Sequence, residues 1–209
     1  MGTRRSPPPG LDYVPVPGDD ANLVFGVIRA TLAGVPNTAS HAVFRRLFPV
    51  ARPDSFEASW PRPTCYRHDV LLPPWTSPDW VDPQTLCQAY DRQCWDGMKD
   101  LVIIMNFRFP EALRRGSEAP AISLSEAYEL VRSYCVDKLV RERGLATILA
   151  MHLPSLAGID WSPPHVHACS LARVAGLGFE AFVPELTKDS SRKIFEREWL
   201  EHRERHGRG

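Results

Sequence analysis

The sequence predicts an α+β domain, in which helices pack mainly on one face of an antiparallel or mixed central sheet. Apolar runs typical of strands occur at 23–32, 101–109 and 145–151. Segments with helix-capping residues and apolar stripes alternate with these runs. The chain has 209 residues, of which 44% are apolar and 24% charged, so it is long enough to bury one core.

The first half of the chain combines short elements with many prolines. Residues 1–20 are proline-rich and are predicted to form a flexible tail, whereas residues 21–209 are predicted to form the domain. After the strand at 23–32, Thr38 or Asn37 can cap a short helix that reaches about Phe48. The stretch 49–78 is broken by prolines, and a loop of that length in a compact domain indicates function or disorder.

The second half contains the clearest helix signals. Asp82-Pro83 begins a helix with proline at its first position. Ser123 and Glu126 form a capping box for a long helix that reaches about Arg143. A last helix is predicted over 190–206.

Three of the seven histidines lie around one pair of predicted strands. His152 ends the apolar run 145–151, and His165 and His167 begin the next strand after Pro163-Pro164. Because side chains alternate along a strand, His165 and His167 leave the same face. A third imidazole from the neighbouring strand end completes a set that can bind Zn, Mn, Fe, Co or Ni with open coordination positions. The same pattern also occurs on surface strands that bind no metal.

The composition restricts the class of protein. Lys and Arg number 25, Asp and Glu also 25, so the whole molecule does not strongly attract nucleic acid. The five cysteines form no CxxC pair and are typical of reduced thiols. Neither a long apolar run nor a signal-peptide pattern is present. These features predict a cytoplasmic protein with no membrane partner.

The histidine region carries a recognisable pattern of residues. It reads GLATILAMH, then a loop, then PPHVHACSLAR, and it resembles the metal-site region of MobA/MobL-type mobilisation relaxases, which are HUH endonucleases. In that family a strand ends in histidine, and Asn-Pro-His-x-His begins a strand that ends in Thr-Thr-Arg. His152, His165, His167 and Arg173 match, and Pro163 stands in place of the asparagine. Further fragments resemble the family, and together they extend the resemblance over about residues 22–200: VLLPPWTSPDW (70–80), FRFPEAL (107–113), GF (178–179) and REW (197–199).

The resemblance implies a reaction and its partners. In the family a tyrosine attacks a phosphodiester of single-stranded plasmid DNA and becomes linked to the 5′ phosphate, while a divalent metal polarises the phosphate oxygens. It therefore implies a relaxase-like domain in plasmid mobilisation or conjugative transfer, with Mn²⁺, Mg²⁺ or Zn²⁺ on the three histidines. Proteins of the transfer complex are possible further partners.

The nucleophile position departs from the family pattern. The family motif Ala-Ala-Tyr-Arg is best matched by Ala42-Val43-Phe44-Arg45, which places Phe44 where the tyrosine belongs. Phenylalanine cannot attack phosphorus. Tyr66 or Tyr90 are the candidates to replace the lost tyrosine.

The carboxylates that the family places near its histidines are mostly absent as well. Asp91 is retained, whereas Cys94, Asn106 and Ile148 occupy the other matching positions. Such carboxylates orient metal-bound histidines, so their loss predicts weak metal affinity and low activity. The main hypotheses are a DNA-nicking enzyme and a non-catalytic DNA- or partner-binding module with a relaxase fold. A third hypothesis is a protein in which the metal is structural and which has no nucleic-acid role.

Overall fold

The computed structural model of the protein describes residues 11–50, 59–113 and 121–206, and an antiparallel sheet forms its centre. Within these ranges the strands are β1 (Leu23–Arg29), β2 (Thr31–Leu32), β3 (Val35–Pro36), β4 (Arg67–Leu71), β5 (Asp100–Arg108), β6 (Leu145–His152), β7 (His165–Ala175) and β8 (Phe179–Phe182). The main sheet has the order β1-β5-β7-β6-β4, with β8 paired to β7. Strands β2 and β3 form a separate hairpin. All these pairings are antiparallel, which confirms the predicted α+β class.

Three of the four helices in the described residues begin at caps that the sequence predicts, and the last one was predicted without a cap. The four described helices are α1 (Ala39–Leu47), α2 (Pro83–Arg92), α3 (Leu124–Cys135) and α4 (Ser191–His206). Thr38 accepts from the backbone N–H of His41, and Ser123 with Glu126 forms the complete capping box. A π-helical turn at Val136–Arg141 continues α3, so the predicted long helix changes its hydrogen-bond pattern before it ends.

The sheet carries helices on both faces, and the prediction that they pack mainly on one face was wrong. On one face, Phe107 of β5 packs in a core with Tyr134 of α3 and Trp199 of α4. On the other, Ile104 of β5 belongs to a core with Phe44 of α1 and residues of α2. The physical reason is the uninterrupted apolar run of β5. A strand with apolar side chains at successive positions needs cover on both sides.

The N-terminal segment belongs to the domain from about residue 12. The side chains of Asp12 and Tyr13 are buried, and Val16 forms an isolated β-bridge with Phe25 of β1. Gly26 admits this packing, because a Cβ atom there would lie 2.2 Å from the Tyr13 ring. The predicted tail at 1–20 is therefore too long, and residues 1–10 lie outside the described ranges.

None of the helices in the described ranges combines the length and the apolar character that crossing a membrane requires.

Candidate metal centre

The pairing of β6 with β7 brings the three histidines together. His152 lies directly opposite His165, and Ala150 lies opposite His167. Because side chains alternate, all three imidazoles leave the face that α1 and α2 cover, where Cys169 is also buried. The local sequence explains this placement, since His152 ends one strand and His165 begins its neighbour.

The three rings form a compact cluster. Their centroids are 5.1 Å apart for His152–His165, 4.6 Å for His152–His167 and 4.9 Å for His165–His167. One nitrogen of each ring lies within 4.8 Å of the others. Three nitrogens bound to one tetrahedral zinc are about 3.3 Å apart, so small side-chain rotations suffice to bind a metal. The predicted convergence of the three histidines is confirmed.

Backbone carbonyls orient two of the rings. Nε2 of His152 lies 2.6 Å from the carbonyl oxygen of Arg46, and Nδ1 of His165 lies 3.0 Å from that of Pro163. A neutral imidazole that donates through one nitrogen presents a lone pair at the other. The lone pairs are then on Nδ1 of His152 and Nε2 of His165. Nδ1 of His167 is buried and has no hydrogen-bond partner among the described residues. This donor set fits a divalent metal.

The electrostatic environment keeps the cluster neutral. Burial lowers the pKa of His152 to about 4, and the hydrogen bond to Arg46 only partly opposes that shift. Burial also lowers the pKa of His165, and the charge of Arg108 acts in the same direction. For His167 burial lowers the pKa well below its usual value, with smaller effects of the other two histidines, Arg46 and Arg108. Neutral imidazoles are the form that binds metals, so these pKa shifts favour the form of the three residues that could hold one.

The end of helix α1 that contacts His152 is fixed by a buried ion pair. The Arg46 guanidinium donates to both carboxylate oxygens of Asp12, at 2.5 and 2.6 Å, and to the Ala42 carbonyl at 2.8 Å. Both side chains of the pair are less than a tenth exposed. The N-terminal segment therefore holds the helix turn whose carbonyl accepts from His152.

The predicted nucleophile position lies in the core. Phe44 is 3% exposed, and its ring packs against Phe48 at 4.7 Å and Trp60 at 5.3 Å between centroids. It belongs to the same helix as Arg46, so α1 does approach the histidines. A side chain with this burial cannot touch a substrate without movement of the helix.

The two candidate replacement tyrosines lie in opposite environments. Tyr90 is fully buried, its hydroxyl donates to the Leu101 carbonyl at 2.9 Å, and burial raises its pKa strongly. These contacts exclude Tyr90 as a nucleophile in this conformation. Tyr66 is 54% exposed, and its backbone N–H donates to Met151, the residue before His152. Tyr66 is therefore next to the histidine cluster in the sheet and accessible to a substrate.

Asp91 and Arg173 serve the fold rather than the histidines. The Asp91 carboxylate accepts from the backbone N–H groups of Ala39 and Ser40 and so caps α1. The Arg173 guanidinium donates to three backbone carbonyls, those of Gln93, Phe179 and Glu180. It lies eight residues beyond His165 on β7, about 26 Å away.

The positions where the family has further carboxylates hold neutral side chains. Ile148 is buried in the core, and the Cys94 thiol donates to the Tyr90 carbonyl. Asn106 lies opposite His167 on β5, and its Oδ1 is buried without a partner among the described residues. In this chain, backbone carbonyls orient His152 and His165.

Sequence reasoning missed the contributions of Asp12, Arg46 and Arg108. Asp12 and Arg46 are 34 residues apart, and nothing in the local sequence connects them. Arg108 was recognisable, because it alternates with Asn106 on one face of the predicted strand. Arg108 lies directly opposite His165 in the sheet.

A solved structure with a similar fold comes from work on the molecular basis of vancomycin resistance transfer in Staphylococcus aureus. The two chains are 14% identical and superimpose with a TM-score of 0.62 over 88% of this chain and 93% of the other. At that identity the similarity shows a shared fold. No protein-family model and no curated protein sequence matches this chain.

Proposed function

We propose that this protein is a relaxase-like protein of plasmid mobilisation or conjugative transfer that acts on phosphodiesters of single-stranded plasmid DNA. The observation that carries the proposal is the cluster of His152, His165 and His167, whose ligand nitrogens lie within 4.8 Å of one another. The fold shared with a protein of resistance transfer supports the same function. Single-stranded DNA and proteins of the transfer complex are the proposed partners.

The three histidines are proposed to hold a divalent metal. Three neutral imidazoles favour Zn²⁺ or Mn²⁺ over Mg²⁺, which prefers oxygen ligands. When bound, the metal supplies a Lewis acid that stabilises negative charge on the phosphate oxygens. Five cysteines without a disulfide support a cytoplasmic location as part of the proposal.

Tyr66 is the proposed nucleophile of any covalent reaction. Its oxygen attacks the phosphorus, the bond from phosphorus to the 3′ oxygen breaks, and the 5′ phosphate becomes linked to the tyrosine. The phenol loses its proton, and the departing 3′ oxygen gains one, so the step is balanced. Exposure of Tyr66 and its position beside the strand end that bears His152 support this assignment.

A non-catalytic module that holds DNA or a partner protein is the second candidate. The observation in its favour is Phe44, which fills the expected nucleophile position inside a packed aromatic cluster. We expect metal-dependent binding of single-stranded DNA in either case, and a covalent adduct, formed weakly, only if the protein is an enzyme.

The test is incubation with labelled single-stranded origin DNA and Mn²⁺ or Zn²⁺, followed by a denaturing gel for a protein–DNA adduct. An adduct that disappears in Tyr66→Phe supports the enzyme, and Tyr90→Phe is the matched control that should retain it. Binding without an adduct supports the non-catalytic module. An adduct that appears only in Phe44→Tyr supports a degenerate relaxase. Absence of binding to single-stranded DNA overturns the proposal, and absence of metal binding overturns the assignment of the three histidines.

A further inference from the structure

Arg108 is an exposed cation at the edge of the metal site. It ends β5, and its Cα lies opposite that of His165 on β7. The Cβ atoms of directly opposite residues in an antiparallel pair are about 4.5–5.5 Å apart. The longer side chain of Arg108 can therefore extend past the imidazole of His165. Among the described residues Arg108 forms no ion pair. Arg67, Arg132 and Arg143, in contrast, each bind a carboxylate.

The charges around the histidines favour an anion. Two arginines belong to this region: Arg46, whose backbone carbonyl accepts from His152, and Arg108, which lies opposite His165 on β5. Asp12 pairs with Arg46 in the interior, whereas Arg108 forms no ion pair with a described carboxylate. A divalent metal on three neutral ligands would add two further positive charges. A phosphate group is the ligand that balances this charge, and an arginine can bind it through two parallel hydrogen bonds.

The loop that joins the two histidine strands exposes apolar side chains. It spans residues 153–164 and begins directly after His152. Trp161 is 86% exposed, and Leu156 is 70% exposed. Trp161 lies four residues before His165, so the chain keeps the two residues within about 14 Å of each other. An exposed indole beside a phosphate site is suited to stack on an unpaired base.

From these contacts we propose that Arg108 binds a backbone phosphate of the DNA and that Trp161 stacks on a neighbouring unpaired base. The assignment rests on the proposed function, because it takes single-stranded DNA as the ligand. A free phosphate ion would use Arg108 alone, and duplex DNA would offer no unpaired base to Trp161. The two residues together therefore select a single strand.

The first experiment measures binding of a fluorescent single-stranded oligonucleotide to the metal-loaded protein over a series of salt concentrations. For Arg108→Gln we expect weaker binding and a slope of log affinity against log salt that is reduced by about 0.7. Arg108→Lys should retain most of the slope, because it keeps the charge. Arg197→Gln is the matched control: this arginine lies on α4, 69% exposed, and its loss should change neither quantity.

The second experiment tests the base contact. Trp161→Ala should weaken binding of the single strand by about 5- to 150-fold and leave binding of an abasic oligonucleotide unchanged. Trp161→Phe should retain most of the affinity. Trp95→Ala is the matched control, because Trp95 is 51% exposed and packs near Phe182, away from the end of β5 that carries Arg108.

Metal binding by each variant, measured by calorimetry, shows that the histidine cluster is intact. Full affinity and an unchanged salt slope in Arg108→Gln overturn the phosphate contact. If Trp161→Ala weakens binding of the normal and the abasic oligonucleotide by the same factor, the base contact is overturned. If the unmodified protein binds metal but no single-stranded DNA, the proposed function and this inference both fail.

Discussion

The substitution Asp12→Ala tests whether the N-terminal segment supports the metal centre. Asp12 holds the guanidinium of Arg46 through two hydrogen bonds, and the carbonyl of Arg46 accepts from His152. Removal of the carboxylate leaves a buried cation without its counterion. We expect a loss of folding stability together with a loss of metal affinity.

The size of the stability loss follows from burial. The side chains of Arg46 and Asp12 are 8% and 4% exposed, so water cannot replace the lost partner. Removing one member of a buried ion pair typically costs about 3–5 kcal/mol. For a domain of about 200 residues this corresponds to a decrease in Tm of roughly 6–20 °C. Loss of a group that orients a metal-bound histidine typically weakens metal binding about 10- to 100-fold.

Thermal unfolding of the metal-free protein and calorimetric metal titration measure the two effects. Glu129→Ala is the matched control. Glu129 forms an ion pair of similar length with Arg67, and this pair differs from the Asp12–Arg46 pair in being exposed. Such pairs contribute at most about 1 kcal/mol. The double variant Asp12→Ala/Arg46→Met should regain most of the stability, because an apolar side chain replaces the unpaired cation.

A decrease in Tm no larger than that of Glu129→Ala would show that the buried ion pair does not stabilise the domain in this way. Normal metal affinity in a destabilised Asp12→Ala protein would separate the two effects. It would show that the Arg46 carbonyl keeps its place without the ion pair.

Three further predictions concern the site. His167→Ala should abolish binding of Zn²⁺ or Mn²⁺ in calorimetry, whereas His206→Ala, on α4, should leave it unchanged. The metal-free protein should lose stability in denaturant titrations as the pH falls from about 6.5 to about 4. The reason is that His152 takes up its proton near pH 6.5 when unfolded but only near pH 4 when folded. Phe44→Tyr should form no more covalent adduct with single-stranded DNA than the unmodified protein does.

The sequence predicted the elements and the histidine cluster because both depend on local patterns. Alternation along a strand fixed the common face of His165 and His167, and the capping box of Ser123 and Glu126 marked the beginning of α3. The position of His152 at a strand end was also visible as the end of an apolar run.

The contacts that the sequence did not reveal join distant segments. The ion pair between Asp12 and Arg46 depends on how the N-terminal segment packs beside β1. Burial of Tyr90 depends on the docking of α2 against β5, where Leu101 supplies the acceptor for its hydroxyl. The apolar run of β5 indicates cover on both faces of the sheet, in contrast to the prediction that the helices pack mainly on one face.

The expectation for Phe44→Tyr follows from the role that α1 has in this structure. Phe44 is 3% exposed and packs against Phe48 and Trp60, so a phenol at this position would point into an apolar cluster. A buried hydroxyl without a partner costs about 1–3 kcal/mol, so the substitution should lower Tm and still not present a nucleophile. Helix α1 instead supplies the carbonyl of Arg46 to His152. A strong adduct in Phe44→Tyr would contradict this account, because it would require α1 to move when DNA binds.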